Sequence, residues 1–137
     1  MRPAVLSNSK LLTQLFINGK FVNSRSGATF DVFNPSTEEK IATVQDAQVA
    51  DMEDAVQAAR TAFDKGPWGR MDPGARAKCL YKLADLVEKN QEELAAIESW
   101  NNGKPFEIAK KADLPLTIQC YRYYAGWVDK IHSNVFP

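Results

Sequence analysis

The chain has 137 residues, 45% of them hydrophobic and 25% charged, and its 17 basic side chains balance 17 acidic ones. This length fits one compact domain and little more, and the composition argues against a disordered chain or a fibre. Proteins that bind nucleic acid carry a basic face, and membrane spans need about eighteen consecutive apolar residues. The sequence contains neither feature, so it predicts no nucleic-acid partner and no membrane span.

Residues 1–14 are predicted to form an N-terminal tail. They include Arg2 and Lys10 but no apolar run long enough for a secretory signal. They also lack the arginine-rich, amphipathic pattern of a mitochondrial presequence. The sequence therefore predicts a cytoplasmic location.

The two cysteines, Cys79 and Cys120, are 41 residues apart (120 minus 79), which is neither a CxxC nor a zinc-binding spacing. One disulfide is compatible with the count. Because Cys79 precedes Leu80 and Cys120 precedes Tyr121, small buried side chains are the favoured interpretation, with both thiols reduced as in a cytosolic protein.

Two β-hairpins are predicted after the tail. The first covers residues 15–22 and turns at Asn18-Gly19, since both positions of this pair tolerate positive φ. The second joins residues 29–33 to residues 40–44 across a turn in which Pro35 fixes φ and removes a hydrogen-bond donor.

Four helices are predicted in the rest of the chain. The first begins near Val49 and ends before Gly66-Pro67. The second begins with the capping residue Asp72 and with Pro73 at its first position. The apolar stripes of these two helices predict their buried faces, which are Met52, Val56, Ala59 and Phe63 in the first and Cys79, Leu80, Leu83, Leu86 and Val87 in the second.

The third predicted helix begins at a capping box formed by Asn90 and Glu93 and ends at the Gly-then-Pro signal after Asn102. The last extends from Phe106 to about His132, with a kink or break at Pro115. Its predicted inner face comprises Leu114, Ile118, Tyr121, Ala125 and Val128.

No predicted strand follows a helix, so these residues close no βαβ unit and build no parallel sheet. The helices also carry more apolar surface than they and the hairpins are able to cover. This excess indicates that a larger core uses these faces.

The chain carries few residues suited to catalysis. Its seven glycines form neither GxGxxG nor a P-loop, so no local phosphate cradle is encoded. The single histidine, His132, lies near a predicted helix end, where an interaction with the helix dipole is favoured over a catalytic pair. The aromatic cluster at residues 121–127 lacks the basic groove of a base-stacking platform, so burial or an interface is the better interpretation.

A series of short motifs resembles the opening of the aldehyde dehydrogenase superfamily, in the same order and at the same spacing. The detail is similar to the class that includes the cytosolic, mitochondrial and retinal aldehyde dehydrogenases. The motifs lie at residues 17–20 (Ile-Asn-Gly-Lys), 33–37 (Phe-Asn-Pro-Ser-Thr), 56–63, 68–72, 83–86, 102–105 (Asn-Gly-Lys-Pro) and 122–132.

This resemblance implies an α/β fold in which residues 15–137 are the incomplete N-terminal part of a Rossmann-like NAD-binding domain, here two small hairpins followed by about four helices. It also implies oxidation of an aldehyde to a carboxylic acid with NAD or NADP. In the family a cysteine thiolate attacks the aldehyde, hydride passes to nicotinamide, and a glutamate activates the water that hydrolyses the thioester. The resemblance places these groups and the nucleotide site beyond Pro137, so neither Cys79 nor Cys120 matches the nucleophile.

The resemblance further implies two minor sites. Backbone carbonyls of Val32 or Phe33 and the side chain of Asn101 match a structural monovalent-cation site, although Asn101 replaces the family's acidic residue. Ala112 and Leu116 match the mouth of the substrate tunnel, and Leu116 fits a core position equally well. Glu38 stands where the family commonly has glycine, a departure expected to cost little.

Two functions remain open at this stage. In the first, the segment is an N-terminal fragment of an aldehyde dehydrogenase, inactive and binding no cofactor alone, whose partner is the rest of that fold. In the second, it is a non-catalytic helical module that binds a partner such as a full-length homologue.

Overall fold

The computed structural model describes residues 3–6 and 11–130. Two antiparallel hairpins come first and helices follow, as the sequence predicts. The elements are a 3-10 turn at Ala4–Leu6, strands β1 (Leu15–Ile17), β2 (Lys20–Val22), β3 (Thr29–Phe33) and β4 (Lys40–Gln45), helix α1 (Val49–Lys65), a 3-10 turn at Trp68–Arg70, helices α2 (Pro73–Lys89), α3 (Gln91–Asn102) and α4 (Phe106–Ile108), a π-helical turn at Ala109–Asp113, and helix α5 (Leu114–Ala125).

The first hairpin pairs Ile17 with Lys20 across a two-residue turn. Asn18 and Gly19 have φ values of 52° and 74°. Positive φ at both central residues is the type I′ signature, whose twist matches that of the strands. The predicted Asn-Gly turn is confirmed.

The second hairpin, β3–β4, is closed by a turn that Asn34 organises. The Asn34 side-chain Oδ1 accepts from the Ser36 N–H at 2.9 Å, and its carbonyl accepts from the Glu38 N–H at 2.8 Å. Glu38 adopts a φ of 58°. This left-handed conformation favours glycine, which is a physical reason for the glycine that the family commonly has at the position of Glu38.

The predicted ends of α2 and α3 are confirmed except at one cap. Asp72 Oδ1 accepts from the Ala75 N–H at 3.2 Å, as an N-cap should, and Gly103 ends α3 at a φ of 77°. The capping box at Asn90 is wrong. The Asn90 side chain instead donates to the Leu86 carbonyl at 2.7 Å, because this residue also ends α2 and satisfies a free carbonyl there.

Of the kink or break predicted at Pro115, the break is wrong, because a π-helical turn directly before the proline keeps the helix continuous. The Leu114 N–H donates to the Ala109 carbonyl, five residues back. The wider turn leaves room for the proline ring, and the Thr117 hydroxyl donates to the Asp113 carbonyl at 2.9 Å. α5 ends at Ala125, so the predicted extension of this helix is wrong for residues 126–130, of which 126–129 form turns, and its last residues, to about His132, lie outside those described.

The buried core is small and rich in alanine. Helices α2 and α5 pack closely and α3 packs against the π-helical turn, while Leu6 of the N-terminal 3-10 turn is fully buried. The other buried apolar residues are Ala84, Ala95, Ala96, Ala109, Ile118 and Ala125. Alanine permits close approach of helices but removes little apolar surface from water.

Several faces predicted to be buried are exposed. The α1 stripe of Met52, Val56 and Phe63 faces solvent, with Phe63 66% exposed. Cys79 and Cys120 are exposed free thiols rather than small core side chains. The structure therefore corrects these burial predictions, because no element in the described residues covers those faces. None of the helices within residues 3–6 and 11–130 is both long and apolar enough to cross a membrane.

Candidate functional site

An apolar groove of about 570 Å³ lies between the second hairpin and helices α2 and α3. Its polar groups are few, chiefly Asn90, Glu93 and Asn101. The apolar lining comes from residues 11–12, from Val32, Ile41, Ala42 and Val44 of the hairpin, and from Leu86, Val87, Leu94, Ile97 and Trp100 of the helices. A lining of this kind fits an apolar occupant better than a charged one.

The groove brings together two of the three residues predicted for a monovalent cation, Val32 and Asn101. Asn101 is exposed on the last turn of α3, and Phe33 is an exposed residue of β3. The assignment of a cation to these residues stays a prediction. Among the described residues, no three His, Cys, Asp or Glu side chains converge in a way that suits a metal ion.

The residues predicted for the tunnel mouth, Ala112 and Leu116, lie one helical turn apart across the junction between the π-helical turn and α5. Both are exposed, and the Leu116 side chain is 64% accessible. An exposed position does not fit the alternative core role of Leu116 within these residues. Their role at a tunnel stays a prediction.

A buried carboxylate, Asp51, fixes the start of α1. Only 3% exposed, it accepts hydrogen bonds from the Gln48 N–H at 2.9 Å, the Arg25 N–H at 2.9 Å and the Ser24 hydroxyl at 2.8 Å. These bonds, led by that from Gln48 and aided by the positive charge of Arg25, hold the pKa of Asp51 below its ordinary value. Patterns in the sequence do not single out this residue, whose only signal is an acidic side chain in the first turn of a helix.

Ion pairs and a hydrogen bond connect the last helical segment to α2, to α3 and to the loop after α3. The Arg122 guanidinium contacts Glu88 at 2.7 Å and Asp85 at 3.0 Å, and these bonds raise the pKa of Arg122. Lys104 pairs with Asp113, which raises the pKa of the lysine. The Gln91 side chain donates to the Lys110 carbonyl at 2.7 Å, so it satisfies a backbone group of the π-helical turn. These contacts position helices and form no reactive pair.

The two cysteines do not approach each other. The pairing of Arg122 with Asp85 and Glu88, and the proximity of Tyr81 to Gly126, show that α2 and α5 run antiparallel. In that register Cys79 lies level with the residues that follow α5, and Cys120 lies level with the end of α2. His132 lies outside the described residues.

The aldehyde dehydrogenase family model matches residues 21–137 of this chain. The chain belongs to the aldehyde dehydrogenase family. Its curated relatives include a mitochondrial aldehyde dehydrogenase of Arabidopsis thaliana, 51% identical over 125 residues, which are 91% of this chain and 23% of the relative. Human retinal dehydrogenase 2 is 52% identical over 126 residues, covering 91% of this chain and 24% of the relative.

Solved structures of the same family share this fold. The NAD+ complex of the Bacillus cereus aldehyde dehydrogenase aligns with a TM-score of 0.92 and 45% identity, and covers 100% of this chain and 28% of that one. The arrangement of two hairpins and four helical segments predicted from the motifs is confirmed as that of the N-terminal part of an aldehyde dehydrogenase. The chain spans about a quarter of the length of the relatives it matches.

Proposed function

We propose that this chain contributes to an NAD-dependent aldehyde dehydrogenase that oxidises aldehydes to carboxylic acids, and that its own residues carry no step of the chemistry. The observation that carries the proposal is the large apolar surface left open in a chain of this family. In the described residues eighteen large hydrophobic side chains are exposed, which is typical of a surface that another part of a core covers.

The described residues do not fit a nucleotide. A dinucleotide site of the Rossmann type uses a glycine-rich turn between a strand and the N-terminus of a helix. Among residues 3–6 and 11–130 the only connection from a strand to a helix joins β4 to α1, and its sequence, Asp46-Ala47-Gln48, contains no glycine. NAD, or NADP, is therefore proposed to bind other residues of the complete enzyme, and this segment alone is proposed to bind none.

A fusion tests this function. Residues 1–137 replace the matching part of the Bacillus cereus aldehyde dehydrogenase, whose structure contains NAD+. We expect this fusion enzyme to form NADH in an aldehyde-dependent reaction and the 137-residue chain alone to form none. A folded fusion without activity, or an isolated chain with activity, would contradict the proposal.

A matched pair of variants tests the covering role of α1. Val56→Glu places a charge on the exposed apolar stripe, whereas Gln57→Glu places the same side chain on the adjacent position of the helix. We expect Val56→Glu to abolish soluble, active fusion enzyme, because the cost of burying an unpaired carboxylate is several kcal/mol, on the order of 3–5. Gln57→Glu should keep activity. Equal behaviour of the two variants would remove the argument for a buried stripe.

The same open surface supports the second candidate, a non-catalytic module that binds a full-length homologue. Mixing the 137-residue chain with the intact Bacillus cereus enzyme separates the two functions. A mixed species in a solution-mass measurement supports the module, and its absence removes the reason to propose it.

We also propose that Val32 or Phe33 and Asn101 hold a monovalent cation and that Ala112 and Leu116 border the aldehyde tunnel in the complete enzyme. Restoring the charge with Asn101→Asp should increase the stabilisation of the fusion by potassium or sodium, and Asn101→Ala should reduce it. Leu116→Ala should alter KM more for bulky aldehydes than for small ones. Unchanged cation dependence and unchanged KM ratios would refute the respective roles.

The remaining partners are proposed to be a small-molecule aldehyde and the rest of the aldehyde dehydrogenase fold, with no nucleic acid and no membrane. We propose a cytoplasmic location. The Arabidopsis relative is named as mitochondrial, so cell fractionation of the native protein is the direct test, and recovery in mitochondria would overturn the proposal.

A further inference from the structure

The chain contains two Asn-Gly pairs, Asn18-Gly19 and Asn102-Gly103. In such a pair the backbone nitrogen of glycine is able to attack the side-chain amide carbon of asparagine. The absence of a Cβ on the glycine leaves this nitrogen unhindered and the backbone free to rotate. Asparagine is for this reason among the thermolabile residues.

The structure protects the reacting groups of Asn102-Gly103. The Asn102 amide nitrogen donates to Glu98 at 2.5 Å, and its amide oxygen accepts from the Lys104 N–H at 2.8 Å. The attacking nitrogen itself, that of Gly103, donates to the Ser99 carbonyl at 3.0 Å. Each of these bonds joins residues no more than four positions apart, so all of them are present once the end of helix α3 has formed.

The surroundings of Gly103 restrict movement further. The turn after β3 packs against this glycine so closely that a Cβ placed on it would lie 2.9 Å from both Pro35 Cγ and Ser36 Oγ. The Asn102 side chain therefore reaches an attack geometry only after the end of α3 opens.

Asn18-Gly19 has no such restraint. Both residues are exposed, and a Cβ built on Gly19 meets no atom within 4 Å. Within the described residues, neither the Asn18 side chain nor the Gly19 N–H makes a hydrogen bond. The strands that flank this turn have three residues each, and an isolated two-stranded hairpin of this size opens easily.

We propose that Asn18 is a site of spontaneous deamidation and that Asn102 is protected by the fold. The bond from Gly19 N to Asn18 Cγ forms, the bond from Cγ to the amide nitrogen breaks, and ammonia leaves with the proton of the Gly19 N–H. Water then opens the cyclic imide at either carbonyl, which gives aspartate or isoaspartate at position 18. No oxidant or reductant is needed.

The product changes both the charge and the covalent path of the turn. Asn18 borders a small depression together with Asp54 of α1, so a new carboxylate places like charges near each other. Isoaspartate also inserts a side-chain carbon into the backbone. The two-residue turn that pairs Ile17 with Lys20 then has the wrong length for its type I′ geometry.

Peptide mapping by mass spectrometry tests this inference on the fusion enzyme incubated at mildly alkaline pH. We expect conversion at Asn18 to exceed that at Asn102 about tenfold or more, since opening one or two hydrogen bonds costs about 1.4 kcal/mol. In concentrated urea the two sites should convert at similar rates. Equal rates in the folded chain, or a ratio that persists in urea, would overturn the proposal.

Two variants sharpen the assignment. Asn18→Gly keeps a residue that tolerates positive φ and removes the reacting amide, so the signal at position 18 should vanish while that at Asn102 is unchanged. Glu98→Ala removes the partner of the Asn102 amide nitrogen, so conversion at Asn102 should rise while that at Asn18 stays the same. An increase at both sites in Glu98→Ala would refute local protection.

Discussion

Gly103 combines a left-handed backbone with a close contact, as it ends α3 at a φ of 77° beneath Pro35 and Ser36. A side chain there meets two separate costs. The left-handed conformation costs a residue with a Cβ about 1–2 kcal/mol, and the contact forces the turn after β3 to move.

We therefore expect Gly103→Ala to lower the thermal midpoint of the fusion enzyme by several degrees, roughly the effect of a 2 kcal/mol loss in a large domain. Gly69→Ala is the control, because a Cβ on Gly69 would make only an ordinary contact, 3.5 Å from the Phe63 carbonyl. If both substitutions lower the midpoint equally, the contact with Pro35 and Ser36 is not the cause.

Glu38 also has a left-handed backbone, with a φ of 58°, but unlike Gly103 it carries a side chain. Glu38→Gly should stabilise the fusion by about 0.5–1 kcal/mol, since relief of strain exceeds the extra entropy of glycine in the unfolded chain. Glu38→Ala keeps the Cβ and should give little gain. Differential scanning calorimetry measures both, and a gain with alanine would contradict the argument.

At the scale of elements, α1 is attached more by polar contacts than by apolar packing. The apolar stripe of α1 is exposed to solvent, whereas Asp51 at the start of the helix accepts hydrogen bonds from Ser24 and Arg25. The side-chain amide oxygen of Gln45 accepts from the Ser24 N–H at 2.8 Å and joins β4 to the same segment. This cluster orients α1 relative to the hairpins.

Asp51→Asn should therefore increase hydrogen exchange in residues 23–28 and at the start of α1, because an amide replaces one accepting oxygen with a donor. Asp54→Asn is the control, since Asp54 forms only an exposed ion pair with Arg25, and such pairs contribute little. Equal increases in the two variants would show that Asp51 has no special role.

The pH dependence of this attachment follows from the lowered pKa of Asp51. A carboxyl whose pKa is lower in the folded state stabilises the fold above its ordinary pKa, and this contribution is lost as the pH falls through the lowered value. The difference in hydrogen protection between the wild type and Asp51→Asn should therefore be constant near neutral pH and become smaller in acid. A difference that becomes larger on acidification would contradict the view that the ionised carboxylate of Asp51 stabilises this attachment.

Local signals in the sequence predicted most of these elements, while burial was harder to predict. Asn18-Gly19, Asp72-Pro73 and Gly103 act through backbone conformation and neighbouring groups, so their effects are visible in a few residues. The exposure of Phe63 and Cys79 depends on which elements cover them, and that depends on distant residues. Asp51 was missed because its partners Ser24 and Arg25 are remote in sequence.

At the scale of the whole molecule, the protein combines a small, alanine-rich core with a large exposed apolar surface. Leu6 is the only large side chain that is fully buried in the described residues. Exposed apolar surface of this extent promotes association. In the proposed function, the rest of an aldehyde dehydrogenase fold covers this surface.

We expect the 137-residue chain alone to self-associate, to bind a hydrophobic dye and to unfold in urea over a broad range. The fusion enzyme should show none of these properties at the same concentration. A soluble monomer with a sharp, cooperative urea transition would contradict this expectation and would show that the chain is stable without a cover.

The π-helical turn at Ala109–Asp113 is equivalent to one residue inserted into an otherwise regular helix. Each residue of an α-helix rotates the chain by about 100°, so Ala109 and Ile118, nine positions apart (118 minus 109), would lie about 180° from each other in an unbroken α-helix. The wider turn takes up roughly one residue of this rotation, and both side chains are buried. The additional residue therefore allows both ends of this helix to contribute a side chain to the core.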